Sequence, residues 1–104
     1  RDLVRSRGLG DVYKRQRWAA VFKILGDTTR LSLLDAIHDA GDNKLTVTDL
    51  AETTGTRVAT ASAALRAMEK MGTVTSVREG RTIFYAIADE RIHRLLHWAA
   101  AYSE

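Results

Sequence analysis

Apolar residues recur at helical spacing along most of this chain and switch to strand spacing once. Residues 18–25, WAAVFKIL, read as a short apolar-rich helix that Gly26 ends. Asp27 and Thr28 offer an N-cap to a second helix over about 29–40, with Leu31, Leu34, Ile37 and His38 on one stripe. Gly41-Asp42-Asn43 is a loop. Thr46 and Asp49 then stand in the spacing of a capping box, opening a helix over 47–54 that turns Val47, Leu50 and Ala51 inward. Gly55 suits the left-handed closure of that helix. The pattern restarts at once over 56–72, with Val58, Ala61, Leu65, Met68 and Met71 as its apolar stripe and Gly72 as its end. From 73 to 87 the period becomes two, which predicts a hairpin turning at Glu79-Gly80. Val74, Ser76 and Arg78 share one face of its first strand. Asp89 can cap a last helix in which Ile92, Leu95, Leu96 and Ala99 share a face, beside Trp98 and Tyr102.

Two helices joined across Gly55 with almost no loop form a helix-turn-helix, and the hairpin directly after them makes it winged. The expected fold is therefore mainly α with a β-hairpin wing, occupying residues 17–104. Residues 1–16 show neither period and are expected to be disordered or irregular. Within them SRGLGDVYKRQ, residues 6–16, resembles a translated sequencing adapter and reads as a non-native scar outside the domain. The other reading is a basic arm that grips phosphates.

Charge changes the picture only through its location. The chain has 16 basic and 13 acidic residues, a net of +3, but residues 1–16 hold five of the former and two of the latter. The rest carries 11 of each sign. Residues 27–52 set Arg30 and Lys44 against six acidic groups, whereas 56–81 set Arg57, Arg66, Lys70, Arg78 and Arg81 against Glu69 and Glu79. The basic excess thus falls on the second helix of the pair and on the wing, where phosphates would be met. In such folds the N-terminal part of the second helix reaches base edges. Arg57, Thr60 and Ser62 are the expected readers, Arg57 by forking onto guanine. Arg66 is expected on the backbone, and Arg78 and Arg81 on the minor groove or phosphate.

The segments LGDTTRLSLL, TVTDLAETTG, VATASAALRAMEKMGTV and VREGRTIFYAI together resemble the ArsR/SmtB family of small bacterial repressors over about residues 22–103. Thr28 stands where that family usually has proline, and Val58, Ala63 and Ala64 stand where it often has polar residues. The resemblance implies a homodimeric repressor of double-stranded DNA whose first and last helices make the dimer, here through Trp18, Phe22, Ile92, Leu95, Leu96 and Ala99. It also implies an inducer, often a metal ion. Val47 and Asp49 replace the thiolates of one family site. In the other, Asp89 matches but Arg91 and Tyr102 stand in place of histidines. A different set remains for a divalent transition metal: Asp89, His93 and His97, four residues apart on one helical stripe, with Glu104 as a further ligand. The same histidines also read as interfacial residues beside the apolar seam. His38 reads as a packed or surface histidine. Relatives often continue past this chain's end into a His-rich tail.

The absence of cysteine excludes disulfides and thiolate sites. No apolar run approaches the ~20 residues of a membrane helix. These features lead to the expectation of a cytoplasmic protein without a membrane partner. No nucleophile–base pair or phosphate-binding glycine loop points to an enzyme. Two other functions fit the pattern: an N-terminal dimerisation or regulatory domain of a larger protein such as a methyltransferase, and a protein–protein module without DNA contacts.

Overall fold

The computed structural model describes residues 2–102, with side chains from residue 11. Its elements are α1 (Asp2–Leu25), α2 (Thr28–Ala40), α3 (Val47–Thr54), α4 (Val58–Lys70), β1 (Val74–Glu79), β2 (Thr82–Ile87) and α5 (Glu90–Ala101). The order is the one expected from the sequence, with one large correction. Residues 2–16 are not irregular: they continue the first helix without a break. No proline interrupts them, and residues 11–20 are all exposed. The α1 sequence has no apolar stripe over this stretch, which is why no period announced the helix.

The joints are local and strong. Asp27 accepts the Arg30 backbone N–H at 2.9 Å, and the Arg30 guanidinium reaches back to the carbonyls of Ile24 (3.0 Å) and Lys23 (2.9 Å). One dipeptide step therefore caps α2 and satisfies the end of α1. Both halves of the Thr46–Asp49 capping box form, at 3.1 and 3.2 Å. Gly55 sits at φ 68°, and Thr56 N–H bonds the Ala51 carbonyl at 2.9 Å. That left-handed residue lets α4 leave directly after α3.

The hairpin is antiparallel, running from Val74 opposite Ile87 to Glu79 opposite Thr82. Its two-residue loop is Gly80-Arg81, one position later than expected. Gly80 takes φ 65° at the first loop position, a left-handed conformation that glycine adopts without strain. Val74, Ser76 and Arg78 do share a face, with Ile87, Tyr85 and Ile83 as their cross-strand partners. Val74 and Tyr85 on that face are buried. A bridge from Thr46 to Phe84 and a bond from Asn43 N–H to the Tyr85 carbonyl (3.0 Å) attach the wing to the start of α3.

The core joins Val21, Leu33, Leu34, Ile37, Leu50, Leu65, Met68, Val74, Ile92 and Leu96. Three stripe assignments shift. Leu31 is exposed and Leu33 takes its place, because α2 contacts α1, α3, α4, α5 and β2 and buries a broader face than one stripe. Val58 and Met71 are exposed at the two ends of α4, beyond the reach of the core.

Candidate nucleic-acid interface

The three buried residues of α4, Ala61, Leu65 and Met68, fix which way the helix faces. At about 100° per residue, Ala59, Ala63, Arg66 and Lys70 run down the opposite side. All four are exposed. Lys70 is a member of this ridge that the expected contact set omitted, although its four-residue spacing from Arg66 could have revealed it. Thr60 and Ser62 are not neighbours on this surface. They flank the ridge on opposite sides, about 160° apart around the axis.

Ser62 is tied down: its hydroxyl accepts from the Arg66 guanidinium one turn later. Arg57 is the N-cap residue of α4, exposed and without a side-chain capping bond. Its guanidinium is therefore not consumed by the helix it precedes.

The wing is clamped to α4 through polar groups. Ser76 Oγ donates to Glu69 Oε2 at 2.7 Å. Burial raises the Tyr85 phenol above its usual range, and the nearby Glu69 carboxylate raises it further against the opposing pull of Arg66. Tyr85 stays protonated, and one of the two acidic groups in this region is turned toward the wing. Arg78 lies at the tip end of the buried hairpin face, paired across from Ile83, and Arg81 occupies the loop itself. Both are exposed. Beneath Arg81 a cleft of about 320 Å³ is bordered by Thr46, Val47, Thr48, Thr82 and Ile83.

The far side of the fold is different. Trp18 and Phe22 stack on α1 with ring centroids 5.8 Å apart, and Trp98 and Tyr102 pair on α5 at 4.9 Å. All four are exposed. Trp18, Leu95 and Trp98 line a second cleft with Arg91 and Arg94. Two residues expected at a dimer surface are absent from it. Ile92 and Leu96 are 0% and 5% exposed, spent on the chain's own core. Leu95 is half-buried and Ala99 exposed.

The expected metal set also needs correction. Asp89 caps α5 by accepting from Arg91 N–H at 2.9 Å, and both its oxygens are taken by the Arg91 guanidinium at 3.1 and 2.8 Å. Those bonds hold its carboxyl below the usual range despite partial burial. A carboxylate neutralised in this way is a poor ligand, so the residues do not fit the family's last-helix site. Among the described residues no group of three or more acidic or imidazole side chains stands ready to hold an ion. Glu104 lies outside the described residues. No helix among the described residues is long and apolar enough to cross a membrane.

Comparison with known proteins places this geometry. Residues 27–82 match a family model described as the MarR family. The chain is 32% identical over 83 residues to the cadmium resistance transcriptional regulatory protein CadC of Listeria innocua, spanning 80% of this chain and 68% of the relative. It is 34% identical over 86 residues to the HTH-type transcriptional regulator NmtR of Mycobacterium tuberculosis, spanning 83% and 69%. Among solved structures, the AntR antimony-specific transcriptional repressor superposes with a TM-score of 0.75 at 31% identity, covering 84% of this chain and 77% of that one. A homodimeric winged helix-turn-helix DNA-binding domain from Mycobacterium bovis, described as a possible ArsR-family regulator, gives 0.69 at 33%, covering 88% and 82%.

Proposed function

This chain belongs to the winged helix-turn-helix family of MarR-type and ArsR/SmtB-like DNA-binding transcriptional regulators, and from that premise we propose that it is a homodimeric repressor that lays α4 in the major groove and its wing tip on the flanking backbone. The observation that supports this reading is the exposure of Arg57, Arg66 and Lys70 at α4 and of Arg78 and Arg81 at the hairpin end. The ridge itself is poor in base-reading groups. Ala59 and Ala63 occupy its middle and offer only apolar contact to thymine methyls. Arg57 is then the main direct reader, with Thr60 and Ser62 on the flanks, and the remaining cations grip phosphate. Recognition in this arrangement leans on phosphate placement and DNA shape.

The dimer is assigned to the aromatic surface of α1 and α5: Trp18, Phe22, Trp98 and Tyr102, with Leu95 and Ala99. Exposed aromatics clustered on one side are costly to leave wet and suit a twofold contact. Such a dimer would set two copies of α4 one helical turn of DNA apart.

Fluorescence anisotropy with duplex DNA from upstream of the chain's own gene tests the proposal. Affinity should fall steeply with salt, and the Arg57→Ala/Arg66→Ala pair should reduce it at least hundredfold while leaving the melting temperature unchanged. Undiminished binding by that pair would remove α4 from the interface.

A further inference from the structure

Residues 56–81 set five basic side chains against Glu69 and Glu79. Glu69 is exposed and lies about 80° around α4 from Ala59 at the head of the ridge, on the flank that also holds Ser62. A carboxylate there repels the phosphates that the neighbouring cations attract.

The structure shows what this carboxylate is spent on. Ser76 Oγ donates to Glu69 Oε2 at 2.7 Å. Ser76 is half-buried in the middle of β1, and its cross-strand partner Tyr85 is buried. Burial first, and then the Glu69 carboxylate, raise the Tyr85 phenol above its usual range, so that carboxylate stands close to both members of the pair. Arg66 bonds instead to the Ser62 hydroxyl. Among the described residues, Ser76–Glu69 is the one side-chain hydrogen bond between α4 and either strand.

Its place along the hairpin matters. Val74, two residues earlier, is buried in the core, whereas residues 77–81 are all exposed. The other strand is held from a different direction, by the Asn43 N–H on the Tyr85 carbonyl and the Thr46–Phe84 bridge. At about 3.3 Å per residue the loop lies roughly 13 Å beyond Ser76, so a tilt of about 10° there moves the tip by roughly 2 Å. That displacement exceeds the narrow range of distances over which a guanidinium holds a phosphate oxygen.

We propose that Glu69 and Ser76 are positioning residues for DNA recognition: their hydrogen bond fixes the angle of the hairpin to α4, and with it the distance between the helix cations and Arg81. The bond makes the helix and the wing tip one rigid reader, which selects a duplex by the groove geometry between its two contact points. This gain offsets the negative charge that Glu69 brings to a basic region. The positioning role rests on the regulator reading; the clamp itself does not.

A double-mutant cycle on the full chain tests the role, followed by anisotropy with the upstream duplex. Arg81→Ala should weaken binding at least threefold in the parent chain and by a negligible factor in Ser76→Ala. Ser76→Thr keeps a hydroxyl on the strand and should restore the full Arg81 effect. Glu69→Gln keeps an acceptor without the charge, so it should preserve the Arg81 effect while binding duplex more tightly than the parent. Should Ser76→Ala lower the melting temperature, Glu69→Ala, at an exposed helical position, carries the same requirement. An Arg81 effect of equal size with and without the clamp overturns the positioning role. The second arm needs no DNA. Amide nitrogen relaxation should give lower order parameters over residues 78–82 in Ser76→Ala than in the parent, with 58–70 unchanged. Equal order in both chains overturns the clamp. Absence of DNA binding by the parent overturns the regulator reading, and the relaxation arm alone then decides whether the bond holds the wing.

Discussion

On the α4 and wing side, the exposed side chains are Arg57, Arg66, Lys70, Arg78 and Arg81 around a ridge of small alanines. On the α1 and α5 side they include Trp18, Phe22, Trp98 and Tyr102, and the arginines of α5 are paired, Arg91 with Asp89 and Arg94 with Glu90. Among the described residues, the first surface carries cations without a carboxylate partner, beside the exposed Val58, Met71 and Val77. The second pairs its α5 arginines with carboxylates, leaves Lys14, Arg17 and Lys23 on α1 without such a partner among the described residues, and leaves rings uncovered. Free guanidinium groups gain most by displacing counterions from a polyanion, whereas exposed rings gain by leaving water. One small fold thus carries two kinds of exposed surface, cationic at α4 and the hairpin end and aromatic on α1 and α5.

The contrast can be broken most sharply on the aromatic side. Trp98→Glu should dissociate the homodimer, costing about 2 kcal/mol or more as a central aromatic anchor, and sedimentation velocity would show it as a shift to monomer. DNA affinity should fall with it, because the two half-sites are no longer joined. A dimer unaffected by this change places the contact elsewhere.

A smaller loss follows on the cationic side. Arg78→Ala/Arg81→Ala should cost about 1–3 kcal/mol of DNA binding by anisotropy, with dimerisation untouched. If that pair altered self-association instead, the division between the two surfaces would fail.

Asp89→Ala should lower stability by about 1 kcal/mol in denaturant unfolding, through the lost cap of α5. Asp89's carboxyl is held below its ordinary value, so its contribution is fully present above the unfolded value of about 3.9 and disappears as pH falls through the folded one. The gap between parent and variant should therefore stay constant from neutral pH down to about 5 and close in more acid solution. DNA affinity at neutral pH should not move.

Lys70→Ala is the finest probe. It should reduce the slope of log affinity against log salt by about 0.9 per chain, about 1.8 for the dimer, and weaken binding equally for all sequences. A change in sequence preference would instead make Lys70 a base reader.

The legible part of this molecule was its local chemistry. The Thr46–Asp49 box, the Gly55 turn, the Asp89 cap and the switch to period two each depend on a few adjacent residues, and all appear where the sequence put them. What escaped needs tertiary information. A helical period does not distinguish an apolar face that meets its own core from one that meets a second copy, so Ile92 and Leu96 were assigned outward. The hairpin register depends on which of two residues around Gly80 opens the loop, and both choices leave the same residues on the buried face, so the apolar pattern does not decide between them. Lys70 was legible too, since its four-residue spacing from Arg66 puts it on the ridge opposite Ala61, Leu65 and Met68. The meeting of Glu69 with Ser76 joins a helix to a strand, which neither period reports.

The central claim is that duplex DNA meets α4 and the wing tip and leaves the aromatic side alone. Backbone amide chemical shifts of the isotope-labelled chain, followed during titration with its upstream duplex, test this directly. The largest changes are expected across residues 57–70 and 78–82, with 90–101 little affected. Changes concentrated on α1 and α5, with α4 silent, would contradict it.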